Sequence, residues 1–198
     1  MTEPTEKNFS PQDSVRLIQL MIEKTKTDLS ESSFDFLLWG WLAFLGMLGE
    51  YILKVVFNYP HHEIVWLIMF VCIPISIIYH KRRASARTRT YIGDSMTYLW
   101  TGLGICFFIL VILFANIKGG WLFCYPFFIL LYGLGTFVSG MLLKFRPLII
   151  GGIINWILAM IAVKFDFDNQ MLFGAAALLI SYIIPGHLLS AKKTVSLK

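Results

Sequence analysis

MTYLWTGLGICFFILVILFANI, residues 96–117, runs for 22 positions without one Asp, Glu, Lys or Arg. At about 1.5 Å of rise per residue, a helix of that length is about 33 Å long and covers a hydrocarbon core of about 30 Å. Barrel strands need only about 9–11 residues and alternate in polarity; this run is longer and does not alternate. A helix also satisfies its own backbone polar groups in lipid. The reading is therefore a transmembrane helix.

Five more apolar runs surround it, at 34–57, 62–79, 121–143, 147–163 and 171–189. The sequence predicts an all-α polytopic membrane protein: six transmembrane helices as three hairpins, preceded by an N-terminal cytoplasmic amphipathic helix. Residues 1–33 form the cytoplasmic segment, 34–190 the membrane domain and 191–198 a basic cytoplasmic tail. Composition agrees. Of 198 residues, 57% are hydrophobic and only 15% charged, and the mean hydropathy is +0.70. Soluble domains carry about 25% charged residues, and one this small could not hide so much apolar surface.

The net charge of +5 reads as topology, because the basic residues sit between apolar runs and form no continuous nucleic-acid-binding face. Fourteen of the 17 Lys and Arg fall on one side of a six-span chain. They lie in the N-terminal segment, the loops after the second and fourth spans, and the tail. Only Lys54, Lys118 and Lys164 fall on the other side. Cytoplasmic loops carry the Lys/Arg excess, so both termini are expected in the cytoplasm. With no signal peptide ahead of it, the first span is expected to serve as its own insertion signal.

Ser10-Pro11-Gln12-Asp13 reads as a helix start. The helix over 11–29 gathers Val15, Leu17, Ile18, Met21, Ile22 and Leu29 on one side. Its mixed-charge polar face suits packing against the bundle, an interfacial position or docking of a cytoplasmic partner. The loop residues Lys81, Arg82, Arg83, Arg87 and Arg89 are candidate contacts for anionic lipid headgroups, although the positive-inside role already accounts for them.

Within the spans, small residues recur at helical spacing. Ala43, Gly46 and Glu50 share a stripe, as do Gly133, Thr136 and Gly140. Gly152, Asn155, Ala159 and Ala162 form a third, and Gly174, Ala177 and Ser181 a fourth, leading to Pro185-Gly186. Such stripes let helix backbones approach in lipid. Pro74 and Pro126 are positions for kinks. Tyr51, Trp66, Tyr79 and Trp121 suit an aromatic belt.

Glu50 is the ionisable residue to question first. It lies about 24 Å along the first helix, near the outer edge of the core. Lys54 follows four residues later in the favourable order. One reading is an interfacial Glu50–Lys54 ion pair; the sharper one is an intramembrane polar site, Glu50 with Asn155, taking a proton or cation. His61-His62-Glu63, with Asp166 and Asp168, has metal-ligand chemistry without metal-ligand spacing, and no metal or cofactor site is expected. His187, near the end of the last span, suits a structural hydrogen bond. Cys72, Cys106 and Cys124 lie in apolar runs and behave as small hydrophobes. No phosphate loop, H-E-x-x-H or G-x-S-x-G motif is present, so no catalytic residue is assigned.

GLGTFVSGMLLKFRPLIIGGIINW at 133–156, LLWGW at 37–41 and IIPGHLL at 183–189 resemble a family of small multi-spanning bacterial membrane proteins with no assigned activity. The resemblance implies a bacterial cytoplasmic membrane and transfers no functional residue. Two functions follow as expectations. The first is a non-catalytic membrane protein acting through contacts with lipid, a partner or a second copy of itself. The alternative is a small transporter or channel using Glu50.

Overall fold

The computed structural model describes residues 36–68, 73–78 and 91–195. Those residues are mostly helical, with short turns between helices and no strand among them. Four helices are long and apolar enough to cross a bilayer. They are α1 (Phe36–Val56), α2 (Tyr91–Asn116), α3 (Cys124–Leu142, preceded by a 3-10 turn, Gly120–Phe123) and α5 (Phe167–Ser190). Between α3 and α5 lies α4, Arg146–Ala162, whose 17 residues make it shorter than these four. The predicted 62–79 span is described in two pieces, a 3-10 helix His62–Leu67 and a helical stretch over 73–78. The amphipathic helix at 11–29 and the basic loop, Lys81 to Arg89, lie outside the described residues.

Helix ends differ from the sequence reading for local reasons. α2 begins five residues before 96, because Ser95 Oγ and Thr97 Oγ1 turn back onto the carbonyls of Tyr91 and Gly93. These polar side chains thereby stay inside the helix instead of ending it. Pro126 sits in the first turn of α3, where its missing N–H has no helical partner to lose, so it does not occupy a kink position. The interruption falls in α5 instead. Pro185 cannot donate one turn back, and the preceding residues Leu179–Ile183 adopt a π turn with Ile184 N–H bonded to Leu179 O. A second π turn, Ile52–Val56, ends α1. Asn58, at φ 50°, closes that end in the left-handed region that Asn tolerates.

The small-residue stripes face inward. Ala43, Thr136, Asn155, Ala159, Ala162, Ala177 and Ser181 are all buried. The α3–α4 hairpin is the tightest contact. A Cβ on Gly140 would meet Ile149 N at 2.7 Å, and one on Gly152 would meet Phe137 N at 2.7 Å and Gly133 O at 2.8 Å. Only glycine permits that backbone approach. Phe137 and Trp156 stack beside it, 5.1 Å between centroids.

α2 is packed otherwise. Its buried residues are Leu103 and Phe114, against nine in α3. Among the described residues, nothing lies within 4 Å of where a Cβ would project from Gly102 or Gly104. An apolar groove of about 280 Å³ runs between α2 and α3, lined by Cys106, Ile109, Leu110, Phe127, Leu130 and Leu131.

The contacts fix which helix ends lie together. Phe36 and Leu37 meet Gly186, while Lys54 meets Asp168, so α1 runs antiparallel to α5. Tyr125 at the start of α3 joins the Glu50 end. The α3–α4 turn, with Lys144 and Arg146, lies at the opposite end.

Candidate functional site

α1 presents Ala43, Met47 and Glu50 at intervals of four and three residues, the spacing of one helical face. All three are buried, and Glu50 is 3% exposed. A carboxyl group this deep requires hydrogen-bond donors. The next segment supplies two. The chain turns at Asn58, and the 3-10 helix comes back against α1 at its glycines: Trp66 lies over Gly46 and Val65 over Gly49, each 3.3 Å from where a Cβ would stand. With no side chains in the way, Trp66 Nε1 donates to Glu50 Oε2 at 2.7 Å and His62 Nδ1 lies 3.0 Å from Oε1. The third donor is Tyr125 Oη, from the first turn of α3, which also bonds Oε2. Both carboxyl oxygens are thus engaged, by partners from two other elements.

Lys54 takes no part in this. Its ammonium bonds Asp168 at the start of α5 and lies 4.0 Å from the centre of the Phe167 ring. The expected Glu50–Lys54 pair is replaced by two separate contacts, and the reason is local. Lys54 lies in the π turn, whose i→i+5 bonding widens the helix. The four-residue rule of an α-helix no longer stacks it on Glu50.

Asn155 is also buried, but elsewhere. Its Nδ2 donates to Ser181 Oγ at 2.9 Å, and Ser181 Oγ donates to Ala177 O at 2.6 Å. Asn155 packs against Gly133, eight residues along α3 from Tyr125, or about 12 Å along the helix. The structure therefore gives Glu50 and Asn155 separate partners in separate places. Among the described residues, Asn155 Oδ1 has no hydrogen-bond partner.

The other sequence candidates are peripheral. His61 and Glu63 are exposed, with His61 Nδ1 3.8 Å from Glu63 Oε1 and His62 Nδ1 3.8 Å from Oε2. Asp166 accepts from Asn169 Nδ2 at 2.6 Å. His187 is exposed and lies edge-on to Trp41. Among the described residues, no three His, Cys, Asp or Glu are placed to hold a metal ion. Lys81, Arg82, Arg83, Arg87 and Arg89 lie outside the described residues.

The sequence places Trp66 in the aromatic belt and offers His62 only as an unfit metal ligand, and it gives no sign of Tyr125. The available signal was the carboxyl itself, since a buried Glu with no fixed cation needs donors. Comparison with family models, with curated protein sequences and with solved structures finds no match to this chain.

Proposed function

We propose that this chain is a non-catalytic protein of the bacterial inner membrane, crossing it six times, that works by holding another membrane component against α2. The observation that carries this reading is the contrast in helix packing. α3 and α4 bury glycines against neighbouring backbones and α5 buries its glycines against side chains of α1, whereas, among the described residues, nothing packs on Gly102 or Gly104 of α2, which also borders an apolar groove. Glycine inside a helix costs about 1 kcal/mol relative to alanine. In lipid, that cost is offset where a second helix approaches the exposed backbone.

The Glu50 site supports the same reading. Its carboxyl oxygens are already bonded to His62, Trp66 and Tyr125, which leaves little for a substrate to claim. The proposed orientation places both termini in the cytoplasm and the Glu50 end outside. Lys54, Lys118 and Lys164 sit at or next to the helix ends that gather around Glu50, and Lys144 and Arg146 at the opposite end. The basic loop, Lys81 to Arg89, would then face anionic headgroups on the cytoplasmic side, and the 11–29 helix would be free for a cytoplasmic partner.

The test is site-specific photo-crosslinking in native membranes. A photoreactive residue at Ile109, on the α2 groove, should give a discrete protein adduct. The same residue at Ile157, an exposed position on α4, should give lipid adducts only. Lipid adducts alone at both positions would overturn the reading.

A further inference from the structure

We propose that Glu50 and His62 form a proton-binding site that exchanges one proton with the aqueous phase at the Glu50 end of the bundle. The inference stands apart from the contact role of α2 and uses different residues.

It begins with charge. Glu50 is 3% exposed, and among the described residues no Lys or Arg pairs with its carboxyl. The nearest lysine in sequence, Lys54, is held by Asp168 on α5. α3 contributes Tyr125, a donor to Oε2, and its neighbour Cys124, a buried free cysteine. The exposed His61 and Glu63 flank His62 on its own segment. Among the described residues, the group able to balance a Glu50 carboxylate is therefore His62, which does so only when it carries a second proton.

Two states follow. In the empty state, a neutral His62 donates Nδ1–H to the Glu50 carboxylate, and Trp66 and Tyr125 supply the other two donors. In the loaded state, one proton from an aqueous acid is added at His62 Nε2, the ring nitrogen not bonded to Glu50. The pair then exists as imidazolium and carboxylate. Passage of the Nδ1 proton to Oε1 gives the equivalent neutral imidazole and carboxylic acid. The net charge of the pair changes from −1 to 0. A hydrogen bond joins them in both states, so the site gains and loses a proton without coming apart.

The geometry also makes access one-sided. His62 keeps 20% of its side chain exposed while Glu50 is buried. Further along α1 the same face becomes apolar: Met47 and Ala43 are each 2% exposed, and Met47 Sδ packs onto Gly174. The proton enters and leaves by the same side. This makes the pair a sensor of pH at that end, with no conduction through the bundle.

The experiment uses the full chain in nanodiscs, with infrared difference spectra recorded between about pH 5 and 8. The wild type should show a reversible protonation change of a carboxyl or imidazole group. Glu50→Gln should lose it. His62→Asn, whose amide can still donate to Glu50 but cannot gain a proton, should lose it as well while remaining folded. Absence of the change in the wild type, or its persistence in His62→Asn, overturns the proposal. Both outcomes are independent of whether Glu50→Gln folds.

Discussion

Of the polar groups buried among the described residues, Glu50 and Asn155 sit in centres that are built differently. Around Glu50, three donors from two other elements converge on two carboxyl oxygens. Around Asn155, one amide hydrogen bond reaches Ser181, and the amide oxygen has no partner among the described residues. The Glu50 centre ties α1, the 62–67 turn and α3 together. The Asn155 centre joins α4 to α5, which already touch through Gly151, where a Cβ would stand 3.0 Å from Ser181 Cα. A polar group that holds elements together should be costly to remove. One set into an interface already closed by glycines should not.

Matched substitutions by leucine test this most directly. Glu50→Leu keeps the approximate volume but leaves the Trp66, Tyr125 and His62 donors facing an apolar side chain. Unpaired buried donors are expensive, although hydrogen bonds in membrane proteins average well under 1 kcal/mol each. The expected loss of stability is about 2–4 kcal/mol, measured by equilibrium unfolding in detergent micelles. A loss below that of Asn155→Leu would break the comparison.

Tyr125→Phe removes one of the three donors and leaves Trp66 on the same oxygen. The expected cost is about 1 kcal/mol. A cost equal to that of Glu50→Leu would mean that Tyr125 alone holds the site, and that the turn carrying His62 and Trp66 contributes little.

Asn155→Leu should be close to neutral, within about 0.5 kcal/mol. It loses one hydrogen bond but also removes a buried unpaired acceptor, and Ser181 keeps its bond to Ala177 O. A large loss in the same unfolding assay would show that the amide oxygen has a partner, such as an ordered water.

The difference between the two centres also explains what could be read from sequence. Asn155 was legible as a packing residue because its stripe, Gly152 to Ala162, follows the helical period on one helix. The same holds for Ala43-Gly46-Glu50, so the inward direction of Glu50 was legible too. Its partners were not. Tyr125 is 75 positions away, and nothing in the order of apolar runs says which helices touch. His62 and Trp66 are near in sequence, but their approach depends on a turn at Asn58 and on Gly46 and Gly49 being bare. The four-residue rule suggested Lys54 instead, and it fails because α1 leaves the α-helical period at Ile52. The open face of α2 was hidden for the same reason as Tyr125. An apolar run looks alike whether lipid or protein covers it.

Lys54 gives the smallest expected effect and the sharpest check on the Glu50 centre. If Lys54 were the counterion of Glu50, removing it would strand a buried charge, and Lys54→Ala would be about as damaging as Glu50→Leu. In the structure, Lys54 instead pairs with Asp168 across side chains 31% and 40% exposed. Such a pair is worth about 0–1 kcal/mol and weakens with salt. Lys54→Ala should therefore cost less than about 1 kcal/mol, and the difference from wild type should shrink as salt is raised. The contact with the Phe167 ring adds little at this exposure. A large, salt-independent loss would return Lys54 to Glu50 and remove the reason for assigning the proton to His62.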